Sequence, residues 1–212
     1  MPAPAQIRRL MKRIPGVDAV HMGRSGYLAQ VGWPRSRREE RPVDGDGRTI
    51  PWFTYPAIDF LSDRLPPDAS VFEWGAGAST RWFAERVATV RSCEHDAGWY
   101  ATVTVSLAAN ASVALHPVDS DEYVNEVARH GPLDIVVIDG RRRNECAAAT
   151  VEALSERGVI IWDNSERESY RPALQRLADQ GFRRIDFTGP HPCVSARGAT
   201  SVCYRDGNCL GI

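Results

Sequence analysis

Ser70-Val-Phe-Glu73-Trp-Gly75-Ala-Gly77-Ala-Ser79-Thr80 runs from a short apolar strand through an acid and two spaced glycines into a helix start. Glycine at 75 and 77 permits a sharp turn and close approach of backbone to a ligand. Ser79 or Thr80 is suited to cap the next helix and leave its amides facing that ligand. This is the chemistry of a nucleotide-type cofactor loop, for a ligand carrying a ribose and an adenine. The dinucleotide version needs a third glycine where Thr80 stands, and Glu73 would repel a diphosphate. A carboxylate there favours a cofactor with cationic groups.

Downstream of Ser70, short β-rich runs alternate with stretches of helical apolar spacing. The predicted strands are Val71–Glu73, Val90–Glu94, Ser112–His116, Asp134–Ile138 and Val159–Trp162. Between them lie predicted helices Arg81–Val87, Trp99–Ala109, Glu122–Arg129 and Cys146–Arg157, with Tyr170–Gln180 after the last. Asp134-Ile-Val-Val-Ile138 lacks polar alternation and predicts a central strand covered on both faces. After Gly181, Phe182–Phe187 and Ser201–Arg205 are joined without a helix and predict an antiparallel hairpin. The fold class is therefore α/β: a Rossmann-like, seven-stranded, mostly parallel sheet with a C-terminal hairpin and helices on both faces. Upstream, Ala5–Ile14 and Tyr55–Leu65 have helical patterns, and 16–48 is rich in Gly, Pro and Arg. We expect residues 1–69 to form an N-terminal arm or cap and residues 70–212 the cofactor-binding core of one domain.

Ligands of open α/β sheets sit beyond the carboxyl ends of the strands. An acid stands at each of the five parallel ends: Glu73, Glu94 (followed by His95-Asp96), Asp119, Asp139 and Asp163 (followed by Asn164). The acid-x-Gly-x-Gly loop, these acids and the closing hairpin resemble the class I S-adenosylmethionine-dependent methyltransferases over residues 70–205, nearest to uncharacterised bacterial members. The resemblance implies S-adenosylmethionine as cofactor, held by Glu73, Gly75, Gly77, Ser79, Thr80, Glu94, His95, Asp119 and Asp139. Glu94 would accept ribose hydroxyls and Asp119 the adenine amino group.

Ile138-Asp139-Gly140 and Trp162-Asp163-Asn164 also resemble the metal-dependent catechol-type O-methyltransferases, which implies a magnesium ion on Asp139, Asp163 and Asn164. Oxygen-only ligands suit magnesium, which would lower the pKa of an attacking hydroxyl. Asp139, Asp163 and Arg142 are the catalytic candidates. The family's lysine base has no counterpart in Asp139-Gly-Arg141-Arg142-Arg143-Asn144. An arginine steers or stabilises an anion but hardly accepts a proton, so His95 and His191 are alternative bases. His191 lies in the hairpin loop Thr188–Arg197, which should overhang the site. Pro51-Trp-Phe-Thr-Tyr-Pro56 either walls the pocket or packs, and Cys146 belongs on a buried helix face.

The expected reaction is O-methylation of a small molecule, metal-assisted. The alternatives are a metal-independent N- or O-methyltransferase, a cofactor-binding protein without turnover, or a nicotinamide oxidoreductase. At 212 residues and net charge −1 the chain has no global preference for nucleic acid or anionic membrane. Arginines crowd the first 48 residues, where a solvated face is the simplest reading. Motifs of adenine-amino and cytosine-C5 methyltransferases are absent after Asp139, so the expectation is no nucleic-acid partner. Five cysteines without a CxxC pair, and no membrane-length apolar run, predict a reduced, cytoplasmic protein without membrane attachment. Oligomeric state and substrate identity have no sequence signal.

Overall fold

A computed structural model describes residues 16–212; the expected helix Ala5–Ile14 lies outside the described residues. The chain divides into two compact units, Met1–Thr49 with Pro192–Val194, and Ile50–His191 with Ser195–Ile212.

In the first unit the described residues form three short helices, α1 (Val17–Arg24), α2 (Tyr27–Gln30) and α3 (Trp33–Glu39). Buried Ser36 pins the return of the chain: its hydroxyl donates to the Val43 carbonyl (2.7 Å) and accepts from the Val43 amide (3.0 Å). Trp33 Nε1 donates to the Val194 carbonyl at 3.0 Å, which ties the short 192–194 segment to α3. Much of the arginine density is committed locally. Glu39 gathers Arg35, Arg38 and Arg41, Arg48 faces Asp44 and Asp46, and Arg37 stacks over Trp33. Exposed pairs of this kind add little stability each, but they neutralise the surface charge.

The second unit opens with α4 (Tyr55–Ser62) and continues β1 (Ser70–Trp74), α5 (Ala78–Ala84), β2 (Thr89–Glu94), α6 (Ala97–Thr104), β3 (Ala111–Leu115) and α7 (Asp121–Asn125). It then runs β4 (Leu133–Ile138), α8 (Arg143–Ala153), β5 (Leu154–Asp163), α9 (Arg171–Asp179), β6 (Arg183–Pro190) and β7 (Arg197–Tyr204). The seven strands lie in the order β3-β2-β1-β4-β5-β7-β6. Ladders are parallel from β3 to β5 and antiparallel at β5–β7 and β7–β6. The expected mostly parallel sheet with its closing hairpin is thus the observed architecture.

Composition explains the placement. In β4, between β1 and β5, Leu133, Ile135, Val136, Val137 and Ile138 are all buried, as a two-faced strand requires. Trp74, Tyr123 and Trp162 fill the large spaces beside it, and Trp74 Nε1 satisfies its buried donor on the Tyr123 carbonyl at 2.8 Å. Each such apolar side chain contributes about 1.5–3 kcal/mol by leaving water.

Most element ends shift by a few residues from the sequence expectation, and the larger differences fall at β5 and the hairpin. The helix expected to run to Arg157 stops at Ala153, and β5 starts at Leu154 instead of Val159, because Leu154 pairs with Leu133 beyond a register shift. The hairpin is longer than expected, its ladder running from Arg183 opposite Tyr204 to Pro190 opposite Arg197.

Candidate active site

The strand order reverses between β1 and β4, so their carboxyl ends open the crevice where ligands of open α/β sheets bind. Gly75 occupies the first position beyond β1 at φ +94°, a left-handed conformation costly for other residues. A Cβ there would also lie 3.3 Å from the Asp139–Gly140 backbone. The sharp turn expected of the loop therefore rests on Gly75. Gly77 is the N-cap of α5, not Ser79 or Thr80.

Those two hydroxyls turn inward. Ser79 Oγ donates to Glu73 Oε2 at 2.7 Å, Thr80 Oγ1 donates to Glu73 Oε1, and Ser92 Oγ donates to the same Oε1 at 2.8 Å. Thr80 Oγ1 also accepts the Gly77 amide at 2.8 Å. Glu73 is fully buried, so its carboxylate braces the loop from behind, joining β1, β2 and α5. Burial pushes its carboxyl up to about 7, against the three hydroxyls, with the Asp139 charge adding to the rise.

At the end of β2, Glu94 is also buried, and its oxygens serve backbone amides. Oε2 accepts from Ala76 (3.2 Å) and Oε1 from His95 (2.7 Å) and Asp96 (2.9 Å). A carboxylate offers about four acceptor positions, which leaves room for a further donor on Oε2. His95 Nδ1 stands 2.8 Å from Glu94 Oε1, and its ring meets Tyr123 edge-on. Asp96 caps α6 by accepting the Trp99 amide at 2.7 Å. Trp99, which the sequence did not single out, is half exposed; its Nε1 donates to the Ala76 carbonyl at 2.6 Å and its ring faces Gly77. Asp119 is exposed, and its neighbour Ser120 is the N-cap of α7.

The ends of β4 and β5 are joined by a residue the sequence did not single out either. The sequence points to Arg142, but Arg142 turns away to Glu145 and to the carbonyls of Val118 (3.2 Å) and Ser120 (2.9 Å). Arg143, buried, faces the strand ends. Its Nη2 donates to Asp139 Oδ1 and to the Asp139 carbonyl (both 2.8 Å), Nε to the Gly140 carbonyl (2.9 Å), and Nη1 to the Asp163 carbonyl. Asp139 lies outside α8, which begins at Arg143, so no helical spacing in the sequence distinguishes Arg143 from Arg142.

Asp163 is buried; its Oδ1 accepts from Thr200 Oγ1 at 2.6 Å, and the Asn164 amide donates to its carboxylate. Burial pushes both Asp139 and Asp163 above the ordinary carboxylate range. The charge of Asp139 pushes Asp163 further, while Arg143 pulls both down. With one guanidinium, held to Asp139, for two carboxyls, Asp163 is pushed up the further of the two.

His191 is also buried, unlike an ordinary loop histidine. Its Nδ1 lies 3.0 Å from the Trp52 carbonyl, which can only accept, so the proton of the neutral ring sits there. Nε2 then carries a lone pair, buried and without a partner. Gly198 makes room for it: a Cβ at 198 would lie 2.0 Å from Nε2. His191 acts electrostatically on Asp139, so the lone pair belongs to the same neighbourhood. In the aromatic stretch, Phe53 and Tyr55 are core while Trp52 is 42 % exposed.

The residues do not fit the magnesium that the resemblance implies. Asp139 is held by a permanently charged guanidinium, and Asp163 by Thr200 and a backbone amide. Among the described residues no group of three or more His, Cys, Asp or Glu is placed to hold a metal ion. The five cysteines are all free thiols, and among the described residues no helix is long and apolar enough to cross a membrane.

No family model matches the chain, and no curated protein matches it. Solved structures do. The precorrin-6y C5,15-methyltransferase of Geobacter metallireducens GS-15 is 15 % identical with a TM-score of 0.58, over 71 % of this chain and 88 % of that one. Cofactor-bound Rv0187 from MTB is 16 % identical with a TM-score of 0.56, over 98 % of this chain and all of that one (100 %). An rRNA methylase from Streptococcus thermophilus is 12 % identical with a TM-score of 0.51, over 71 % of this chain and 97 % of that one. The chain therefore has the class I S-adenosylmethionine-dependent methyltransferase fold. The expectation of a small-molecule substrate with nucleic acid excluded is corrected by these likenesses. The same fold occurs in a protein named for rRNA and in one named for a precorrin, so neither fold nor net charge excludes RNA.

Proposed function

We propose that the protein is an S-adenosylmethionine-dependent methyltransferase working without a metal ion. The observation that carries this reading is the Gly75 turn at the β1/β4 switch point, braced from behind by Glu73 and joined to Glu94 through the Ala76 amide. The likeness to a cofactor-bound protein over nearly the whole chain supports it. In this reading the backbone of Gly75 to Gly77 lies along the methionine portion, and the spare acceptor position of Glu94 takes a ribose hydroxyl. His95, Trp99 and Asp119 border the adenine. Ser79 and Thr80 act through Glu73, by fixing the loop's shape.

When bound, the cofactor supplies an electrophilic methyl carbon on a sulfonium. The protein's task is to align an acceptor lone pair with that carbon and remove the acceptor's proton. An oxygen acceptor suits the site, because a hydroxyl needs a base and His191 Nε2 is a buried ring nitrogen to which no protein group among the described residues is hydrogen-bonded. Arg143 supplies a permanent positive charge beside the carboxyls of Asp139 and Asp163.

Calorimetric titration with S-adenosylhomocysteine tests the reading: saturable one-to-one binding is expected, and no binding to folded protein would refute it. Radiolabelled methyl transfer from S-adenosylmethionine, offered separately to RNA and to a protein-free metabolite extract, then reports the acceptor class. Activity abolished by chelator and restored by magnesium would refute the metal-independent part.

A further inference from the structure

A second recess lies away from the crevice just described, between α9, the loop leaving β5 and one face of the β6–β7 hairpin. Its volume is about 540 Å³, within the range of small-ligand sites. The floor is apolar, made by Leu174, Leu177, Phe182 and Cys203, all buried or nearly so. The rim is charged and carries four arginines, Arg167, Arg171, Arg184 and Arg197, against Glu166, Glu168 and Asp186.

The charges do not cancel once their partners are counted. Asp186 is taken by Arg184 (2.9 Å) and by Ser201 Oγ (2.5 Å). Glu168 is paired with Arg171 at 3.0 Å, and Glu166 accepts the Ala199 amide at 2.9 Å. Asp186 and Glu168 are thus charge-paired, whereas Glu166 keeps its charge on a neutral amide, and the four arginines still outnumber the three carboxylates. Among the described residues Arg167 and Arg197 make neither an ion pair nor a side-chain hydrogen bond, and both are exposed at the mouth. The charge of Arg167 also acts on Asp139, so the recess lies within electrostatic reach of the crevice.

From this we infer that the recess under α9 is a binding site for an amphipathic anion, an apolar body seated on Leu174, Leu177 and Phe182 with its carboxylate or sulfonate between Arg167 and Arg197. Two uncommitted guanidiniums over an apolar floor match one anionic head on an apolar body. A neutral apolar ligand would leave both cations unused. The recess shares no lining residue with the cofactor crevice and stands whether or not the chain transfers methyl groups.

The test uses 1-naphthoate as probe and 1-naphthol as its neutral counterpart, titrated calorimetrically into the full chain in the presence and absence of excess S-adenosylhomocysteine. One-to-one binding of naphthoate is expected, with a Kd on the order of 100 µM, and naphthol at least tenfold weaker. Arg167→Gln and Arg197→Gln should each weaken naphthoate by about tenfold, the loss of one charge-assisted contact. Ala178→Trp, which fills the recess from α9, should abolish binding, and Gln175→Trp serves the same purpose if the first variant fails to fold. Naphthol binding as tightly as naphthoate, affinity unchanged in the arginine variants, binding that survives a folded tryptophan variant, or no naphthoate binding at all would each overturn the inference.

Discussion

Replacing Glu73 by Gln should make the stability of the protein less sensitive to alkali. Glu73 is fully buried, and burial raises its carboxyl from an ordinary 4.5 to about 7. An acid raised on folding holds its proton more tightly folded than unfolded. The associated stability is fully present below pH 4.5 and is lost as pH rises through about 7. At about 1.4 kcal/mol per pH unit, the interval corresponds to about 3 kcal/mol. The neutral amide of Gln keeps partners among Ser79, Thr80 and Ser92, whose hydroxyls can rotate to donate or accept. Glu73→Gln should therefore differ little from wild type at pH 4.5–5 and be the more stable protein at pH 8, by up to about 3 kcal/mol. Urea denaturation of both proteins at several pH values between 5 and 8 measures this. Asp163, also raised, tilts both curves alike, whereas Asp139 is coupled to Glu73 by charge, so the difference reports Glu73 together with that coupling. A difference that stays constant within about 0.5 kcal/mol across that interval would refute the reasoning.

Three further outcomes are expected. Gly75→Ala should cost about 1–3 kcal/mol in thermal or urea unfolding and remove S-adenosylhomocysteine binding, since the left-handed turn and the 3.3 Å approach to Asp139–Gly140 both resist a Cβ. Arg143→Met should cost about 3–5 kcal/mol at pH 8, because it removes the cation facing Asp139 and Asp163; the loss should shrink as pH falls, since burial already raises both carboxyls, and Arg143→Lys should not restore it, lacking the fork that serves four acceptors. Gly198→Ala should destabilise the protein by displacing the His191 ring, and in a double-mutant cycle His191→Ala should relieve at least about 1 kcal/mol of that cost; purely additive unfolding energies would show that the two residues do not interfere.

Much of the architecture was legible because the parallel strands announce themselves. The unbroken Ile135–Ile138 run could satisfy itself only between two neighbours, and a hairpin without an intervening helix could close the sheet only antiparallel. The site was legible by position and less so by direction. Glu73 reads as an acid at a strand end, but it is the fourth residue of a strand covered on both faces, so its carboxylate points into packed protein. Arg142 and Arg143 are adjacent in sequence, and only the turn that sets Arg142 at φ +47° decides which one faces Asp139. Ser155–Arg157 look like the polar end of a helix because the Leu154–Leu133 pairing that makes them strand is a long-range event. The Nε2 of His191 depends on Trp52 and Gly198, residues far away in the chain, and no local pattern encodes such a meeting.

The hairpin also has a consequence for how the chain is made. β7 is the last strand to leave the ribosome, yet it lies inside the sheet, between β5 and β6. Until it emerges, Ile160–Asp163 present an open hydrogen-bonding edge of almost purely apolar residues, the kind of edge that recruits strands from other chains. Thr200, which holds Asp163 and receives the Thr54 amide, arrives in that same late segment. A nascent chain stalled before Arg197 would therefore carry the glycine loop intact beside an adhesive, half-built neighbour. Translation speed through the hairpin should govern yield more strongly than any single core contact.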